Sequence, residues 1–234
     1  MELDFNDIVA EQFAFVKALV HKNNKNIIVV RHILSGEKYV RIDTAQSVEI
    51  YDVLKKTSCP NLPVVYGVFN SPDGYSVIEE YIDGLTVAQM INEALYDEAG
   101  VKAVVKGVCN ALNVLHSMGI IYRDIKPENI MVDKSGTVKL IDFDAARFFK
   151  SYKTQDTQFI GTTGFAAPEQ YGINQSDERT DIFAVGVLMN VMLTGEHPSK
   201  KMYNGKMSRI IEKCINLDPD KRYSSVKQLF SKLN

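Results

Sequence analysis

At 234 residues the chain is long enough for one large domain or two small ones, and its 45% hydrophobic, 24% charged composition is that of an ordinary soluble globular protein. A formal charge of -2 supplies no basic field, which excludes nucleic acid and anionic lipid as primary partners. Cys59, Cys109 and Cys214 are scattered without metal-ligand spacing and read as reduced thiols of a cytoplasmic protein.

The amino terminus, MELDFNDIVAEQF, is acidic and lacks the pattern of a secretory signal. From Phe13 to Val20 and from Ile27 to Ile42 the residues are apolar and β-branched, broken at 21–26 and at Ser35 and Gly36, which predicts three antiparallel strands. Ala45 to Lys56 spaces Val48, Tyr51, Val53 and Leu54 as a helix would, ending before Cys59 and Pro60. Two more strands follow, Val64–Phe69 and Tyr75–Glu80, with a turn over 71–74. The periodicity then turns helical: Val101, Val104, Val105, Val108, Leu112 and Leu115 fall on one face of a helix ending near Gly119.

The stretch from Ile121 to Asp144, IYRDIKPENIMVDKSGTVKLIDFD, carries the chemistry. Two apolar runs, Ile130–Val132 and Val138–Ile141, flank a turn at Asp133, Lys134, Ser135 and Gly136, so a hairpin is expected. Asp124 and Asn129 lie on its approach and Asp142 closes it, and two carboxylates with one amide oxygen suit a hard cation such as Mg²⁺. GTTGFAAPE follows at Gly161–Glu169 and DIFAVG at Asp181–Gly186. Thr180–Thr194 is apolar nearly all round; its run from Ile182 to Leu193 is broken by Gly186 and Asn190 and is shorter than the ~20 residues a membrane span needs, so it reads as a core helix. Two last helices, Met207–Asn216 and Ser224–Leu233, are separated by LDPDKRY, where Pro219 stops continuation.

YRDIKPEN followed by IDF resembles the catalytic loop and metal-binding motif of the protein kinases, and the GTTG, APE and DIFAVG blocks stand in that family's order. The resemblance, to a bacterial-type serine/threonine kinase, covers Phe13 to Leu233. It implies an α+β bilobal fold: a small lobe (1–80) of a five-stranded antiparallel sheet with one helix, a hinge (81–84) and a larger, mainly helical lobe (85–234). It implies that Asp124 accepts the proton of the substrate hydroxyl and that Lys126 neutralises charge on the transferring phosphoryl of ATP. Asn129 and Asp142 correspond to the ligands of Mg²⁺, with Mn²⁺ as the alternative ion. Glu80 and Ile82 stand at the hinge beside the nucleotide. Thr162 matches a threonine that contacts Asp124 and Lys126, Glu169 the partner of Arg222 in a buried ion pair, and Asp181 the aspartate that holds the catalytic loop by its backbone. Tyr122 replaces the usual histidine and would pack on Phe143. Ser151, Thr154 and Thr157 are candidate phosphorylation sites, with Arg123 as a phosphate partner.

Three departures fall in the nucleotide site. No glycine precedes Gly36, so the loop over the phosphates is built of lysines and asparagines, and Lys22 or Lys25 would add charge there. GEKYVRI places Arg41 at the strand-lysine position, or Ile42 if the hairpin is one residue longer; Arg41 is preferred, with Glu49 as its helix partner. DFG reads DFD, with Asp144 in the glycine's place, and Glu79 is an unusual wall for an adenine pocket. The intact Asp124, Lys126, Asn129 and Asp142 favour an active kinase acting on serine or threonine hydroxyls of a protein. The alternative is a pseudokinase serving as a nucleotide-sensing or scaffolding module; a small-molecule phosphotransferase is disfavoured by GTTG and APE. Oligomeric state is not legible in the sequence.

Overall fold

Short β-branched runs bounded by turn residues are what set the first unit's sheet. The computed structural model describes residues 11–22, 25–71, 73–149, 162, 164–171 and 175–233. They divide into two compact units, Met1–Ser58 with Pro63–Asp83, and Cys59–Leu62 with Gly84–Asn234. In the first, β1 (Phe13–Lys22), β2 (Lys25–His32), β3 (Lys38–Thr44), β4 (Val65–Ser71) and β5 (Gly74–Glu80) form one sheet of order β1-β2-β3-β5-β4, antiparallel throughout. This is the expected five-stranded lobe. Val29 pairs with Val40 and Ile42 with Val77, and directly paired residues point to the same side of a sheet. All four are buried, so this is the sheet's inner side. The opposite side carries Phe13, Tyr39 and Tyr66, stacked edge to face with centroids 5.6 and 5.2 Å apart.

The one helix of this unit, α1 (Glu49–Leu54), is half the length that periodicity predicts. Hydroxyl turns compete with it at the start: Thr44 accepts from the Gln46 N–H at 3.1 Å and Ser47 from the Glu49 N–H at 3.5 Å. It buries Ile50, Tyr51 and Leu54 and packs beside β4.

The second unit is mainly helical. α3 (Glu98–Ser117), whose first turn is capped by Asp97 through the Gly100 N–H at 2.7 Å, buries the apolar stripe that the sequence showed. α4 (Glu178–Thr194) starts at a reciprocal Asp177–Thr180 cap and stops at Gly195, whose φ of 72° is the left-handed conformation glycine tolerates. β6 (Gly84–Thr86) and α2 (Val87–Glu93) were not anticipated; Thr86 and Gln89 form a capping box that could have revealed the helix. α5 (Ser208–Cys214) and α6 (Val226–Phe230) are shorter than predicted, the latter starting at its Ser225 cap. Among the described residues no helix is long and apolar enough to cross a membrane.

The expected hairpin is β8 (Ile130–Asp133) and β9 (Val138–Leu140), with β6 on its open edge. Asp133 closes the turn by accepting from the backbone N–H groups of Ser135 (2.8 Å) and Thr137 (2.9 Å), and Gly136 takes φ 84°. Asn61 fastens β9, donating to Val138 O at 2.7 Å and accepting from the Leu140 N–H at 3.0 Å. β7 (Ile120–Ile121) pairs with β10 (Arg147–Phe148), so the loop entering the hairpin and the segment leaving it are hydrogen-bonded side by side.

Candidate active site

The loop over 122–129 hangs from one buried carboxylate. Asp181, in the first turn of α4 and fully buried, accepts from the backbone N–H groups of Tyr122 (3.0 Å) and Arg123 (2.7 Å) and from His116 Nε2 (2.8 Å). Because a carboxylate only accepts, the Nε2 of His116 carries the proton. Arg123 is held from the other side, its carbonyl accepting from Gln170 Nε2 at 3.0 Å. These bonds hold Arg123 at φ 72°, a left-handed conformation that costs a side-chain-bearing residue about 1–2 kcal/mol. The consequence is a loop bent sharply just ahead of Asp124.

Four side chains then converge. Asp124 Oδ2 accepts from Lys126 Nζ at 2.6 Å and from Asn129 Nδ2 at 2.8 Å, and Asp124 Oδ1 accepts from the Thr162 hydroxyl at 2.6 Å. Lys126 also reaches Thr162 at 2.8 Å, closing a triangle of charge-assisted bonds. Asn129 is 5% exposed and donates a second bond, to Asp124 O at 3.0 Å, which leaves its amide oxygen turned away from Asp124. Asp124 retains 14% side-chain exposure, so the carboxylate is oriented without being sealed off.

Asp142 is delivered beside this set by its backbone neighbour: the Ile141 N–H donates to Asn129 O at 2.9 Å, and the Ile141 carbonyl accepts from the Tyr122 hydroxyl. Tyr122 packs edge-on against Phe143, centroids 5.8 Å apart at 85°. Burial first, and then the Asp142 and Asp124 carboxylates, hold the Tyr122 phenol well above its usual pKa, so it stays a neutral donor. Asp142 has φ 64°, while Asp144 lies outside the left-handed region. The non-glycine residue at 144 therefore costs no backbone strain in this conformation. Its N–H donates to Asp142 Oδ1 at 3.4 Å.

The Glu169–Arg222 pair is bidentate, 2.6 and 2.9 Å, with 4% and 0% side-chain exposure. Thr180 adds a donor to Glu169 at 2.9 Å. His116, Gln170 and Thr180 are the supporting residues that the sequence did not reveal; each is a polar side chain buried among apolar neighbours, and nothing local in the sequence distinguishes such a residue from a solvated one.

In the first unit the structure corrects one assignment. Arg41 does not pair with Glu49: its Nε bonds Asp43 Oδ1 at 2.8 Å and its Nη2 lies 3.4 Å from Ser76 Oγ, while Glu49 is exposed at the start of α1. Arg41 is in register with Ile28 and Ile78, on the sheet's outer side, and Ile42 takes the inner side at 3% exposure. The physical reason is the two-residue period of a strand, which turns neighbouring side chains to opposite sides. Glu80 ends β5 opposite Tyr39, with its N–H donating to Val64 O at 2.8 Å and its Oε2 accepting from the Val64 N–H at 3.0 Å. Ile82 and Glu79 are buried, Glu79 on the inner side at 6%. Arg123 is buried in the loop; Ser151, Thr154 and Thr157 lie outside the described residues.

Residues 10–233 match the model of the protein kinase domain. The chain belongs to the protein kinase family. Over 211 residues the kinase domain is 26% identical to a probable serine/threonine-protein kinase PknB of Lactococcus lactis, covering 84% of this chain and 34% of that protein. It is 30% identical over 176 residues to the serine/threonine-protein kinase PknB of Mycobacterium tuberculosis, covering 69% of this chain and 28% of that protein. A striated muscle preferentially expressed protein kinase of Danio rerio is 31% identical over 183 residues, covering 76% of this chain and 6% of that protein. The chain thus spans about a third or less of the length of these relatives. Family and fold are those of the bacterial-type serine/threonine kinases, and binding of ATP belongs to that family.

Proposed function

We propose that this kinase domain transfers the γ-phosphoryl of ATP to a serine or threonine hydroxyl of a protein. The observation that carries the reading is the closed set of bonds among Asp124, Lys126, Asn129 and Thr162. A module that only binds nucleotide has no use for a carboxylate held on both oxygens beside a lysine. In the transfer, Asp124 orients the substrate hydroxyl and takes its proton, and Lys126 lies 2.6 Å away to neutralise charge on the phosphoryl oxygens. Thr162 keeps the two at that spacing.

The residues present suit a divalent metal. Asn129 offers an amide oxygen and Asp142 a carboxylate, and Mg²⁺ is held by one or two protein oxygens with phosphates and water completing its shell. When bound, the ion would neutralise charge on the phosphates.

Incubation with labelled ATP, Mg²⁺ and a generic protein substrate tests the reading. Wild type is expected to transfer label and Asp124→Ala to lose it. Equal incorporation by both would remove catalysis from this site, and none by either, with nucleotide still bound, would return the domain to a scaffolding role.

A further inference from the structure

We propose that a cleft at the root of the catalytic loop binds a small organic ammonium, an amine carried on an apolar body. The cleft, of about 470 Å³, lies within the second unit and is lined by His116 of α3, Ile121 of β7, Phe149, and Asp177, Glu178 and Arg179 at the start of α4. That is the size of a small-molecule site. His116 carries the argument. Its side chain is 4% exposed and its Nε2 donates to Asp181 at 2.8 Å, so in the neutral ring Nδ1 is an acceptor. Among the described residues Nδ1 has no hydrogen-bond partner. Glu178 Oε2 lies 3.8 Å from it, beyond a hydrogen bond, and two acceptors cannot satisfy each other. Because Glu178 lines the cleft, its carboxylate and Nδ1 are presented there together.

A buried acceptor left unmet costs free energy, and one donor set between these two groups would serve both. Charge selects a cation for the task. Arg179 is engaged elsewhere: Asp177 holds its Nε and Nη2 at 3.0 and 2.6 Å, and Asp220 holds its Nη1. Glu178, with 44% side-chain exposure, therefore brings negative charge to the cleft that Arg179 does not neutralise. Phe149, 46% exposed, and Ile121 supply the apolar wall on which the ligand's body would rest. An ammonium at Nδ1 would also bear on the catalytic loop. The same ring is bonded to Asp181, which holds the backbone N–H groups of Tyr122 and Arg123.

The test titrates phenethylamine into the full chain, with phenylacetate as an anion of similar size, and follows backbone amides and imidazole nitrogens by NMR. Phenethylamine is expected to bind saturably and to move the His116 Nδ1 resonance together with the Tyr122 and Arg123 amides. Phenylacetate should bind at least about tenfold more weakly, since it meets acceptors with acceptors. Glu178→Gln should weaken the amine about three- to fivefold, as befits a half-exposed charge. His116→Gln, which keeps a donor for Asp181 and loses Nδ1, should weaken it about tenfold, with a melting curve to show that the variant is folded. Should that variant not fold, Glu178→Gln and the imidazole resonances decide the matter. Nδ1 protonated in the free protein, equal affinity for amine and acid, unchanged amine affinity in Glu178→Gln, or binding that leaves the His116 nitrogens unmoved would each overturn the site. None of these readouts depends on phosphoryl transfer.

Discussion

Removing Arg222 tests how the end of the activation segment is anchored. Its guanidinium, with 0% side-chain exposure, binds both oxygens of Glu169 at 2.6 and 2.9 Å. It also donates to the carbonyls of Asn216 (2.7 Å), Arg179 (2.9 Å) and Leu217 (3.3 Å), and lies 5.0 Å from the Phe183 ring centroid. Arg222→Met leaves the Glu169 carboxylate buried with, among the described residues, the Thr180 hydroxyl as its side-chain donor, and leaves those three carbonyls without this donor. An uncompensated buried charge costs about 3–5 kcal/mol, a large part of the roughly 5–15 kcal/mol that holds a domain folded. For a chain of this size that amounts to a fall in Tm of about 10 °C. Arg222→Lys should be intermediate, because an ammonium keeps the charge and cannot make the paired contact. Glu169→Gln combined with Arg222→Met should be milder than Arg222→Met alone, since the stranded charge is gone. Thermal melts followed by circular dichroism at several wavelengths, to detect separate unfolding of the two units, supply the measurement. A loss under about 1 kcal/mol for Arg222→Met, or a double variant less stable than the single, would refute the argument that the pair is set by desolvation.

Asp181→Asn should leave the domain folded but lower kcat by about a hundredfold or more, because Oδ2 serves the Tyr122 N–H and His116 while Oδ1 serves the Arg123 N–H, and an amide NH₂ in either place opposes a backbone donor of the loop. Steady-state kinetics with a melting control read it, and wild-type kcat would refute it. Thr162→Ala should lower kcat about tenfold with the ATP KM unchanged, and Thr162→Ser should restore it, since the hydroxyl adds a second bridge between Asp124 and Lys126 beside their direct bond. Burial pushes the Cys109 thiol up to about 12 and raises Cys214 well above its usual value, so at pH 8 a thiol reagent should label Cys59 alone in the native protein and all three cysteines after denaturation. Native labelling of Cys109, read by mass spectrometry, would contradict the packing of α3. The Asp133 carboxyl is held below the usual carboxylate value, chiefly by the Ser135 hydroxyl. With the folded pKa depressed, its contribution is present above the unfolded value and lost as pH falls through the folded one; Asp133→Asn should therefore flatten the acid side of the stability–pH curve.

Spacing along the chain was enough to assemble the chemistry. Asp124, Lys126 and Asn129 stand within six residues of one another, and the hairpin that follows is written in local turn residues, Asp133 to Gly136, that need no tertiary partner. The order of the motifs likewise foresaw Glu169 with Arg222 and Asp181 with the catalytic-loop backbone, because a family resemblance carries long-range pairs that no periodicity can. Helix ends were less legible, since α1 is cut short by hydroxyl turns that compete with it at nearly equal free energy.

What the residues determined by themselves was the gathering of Asp124, Lys126 and Asn129 on one loop before a hairpin, and the five-stranded sheet, both consequences of short-range pattern. Only tertiary structure decided that Arg41 faces outward, and that His116 and Gln170 brace the loop. A one-residue difference in strand register reverses the side to which each chain position points, and a buried polar side chain is recognisable only by the distant group that satisfies it.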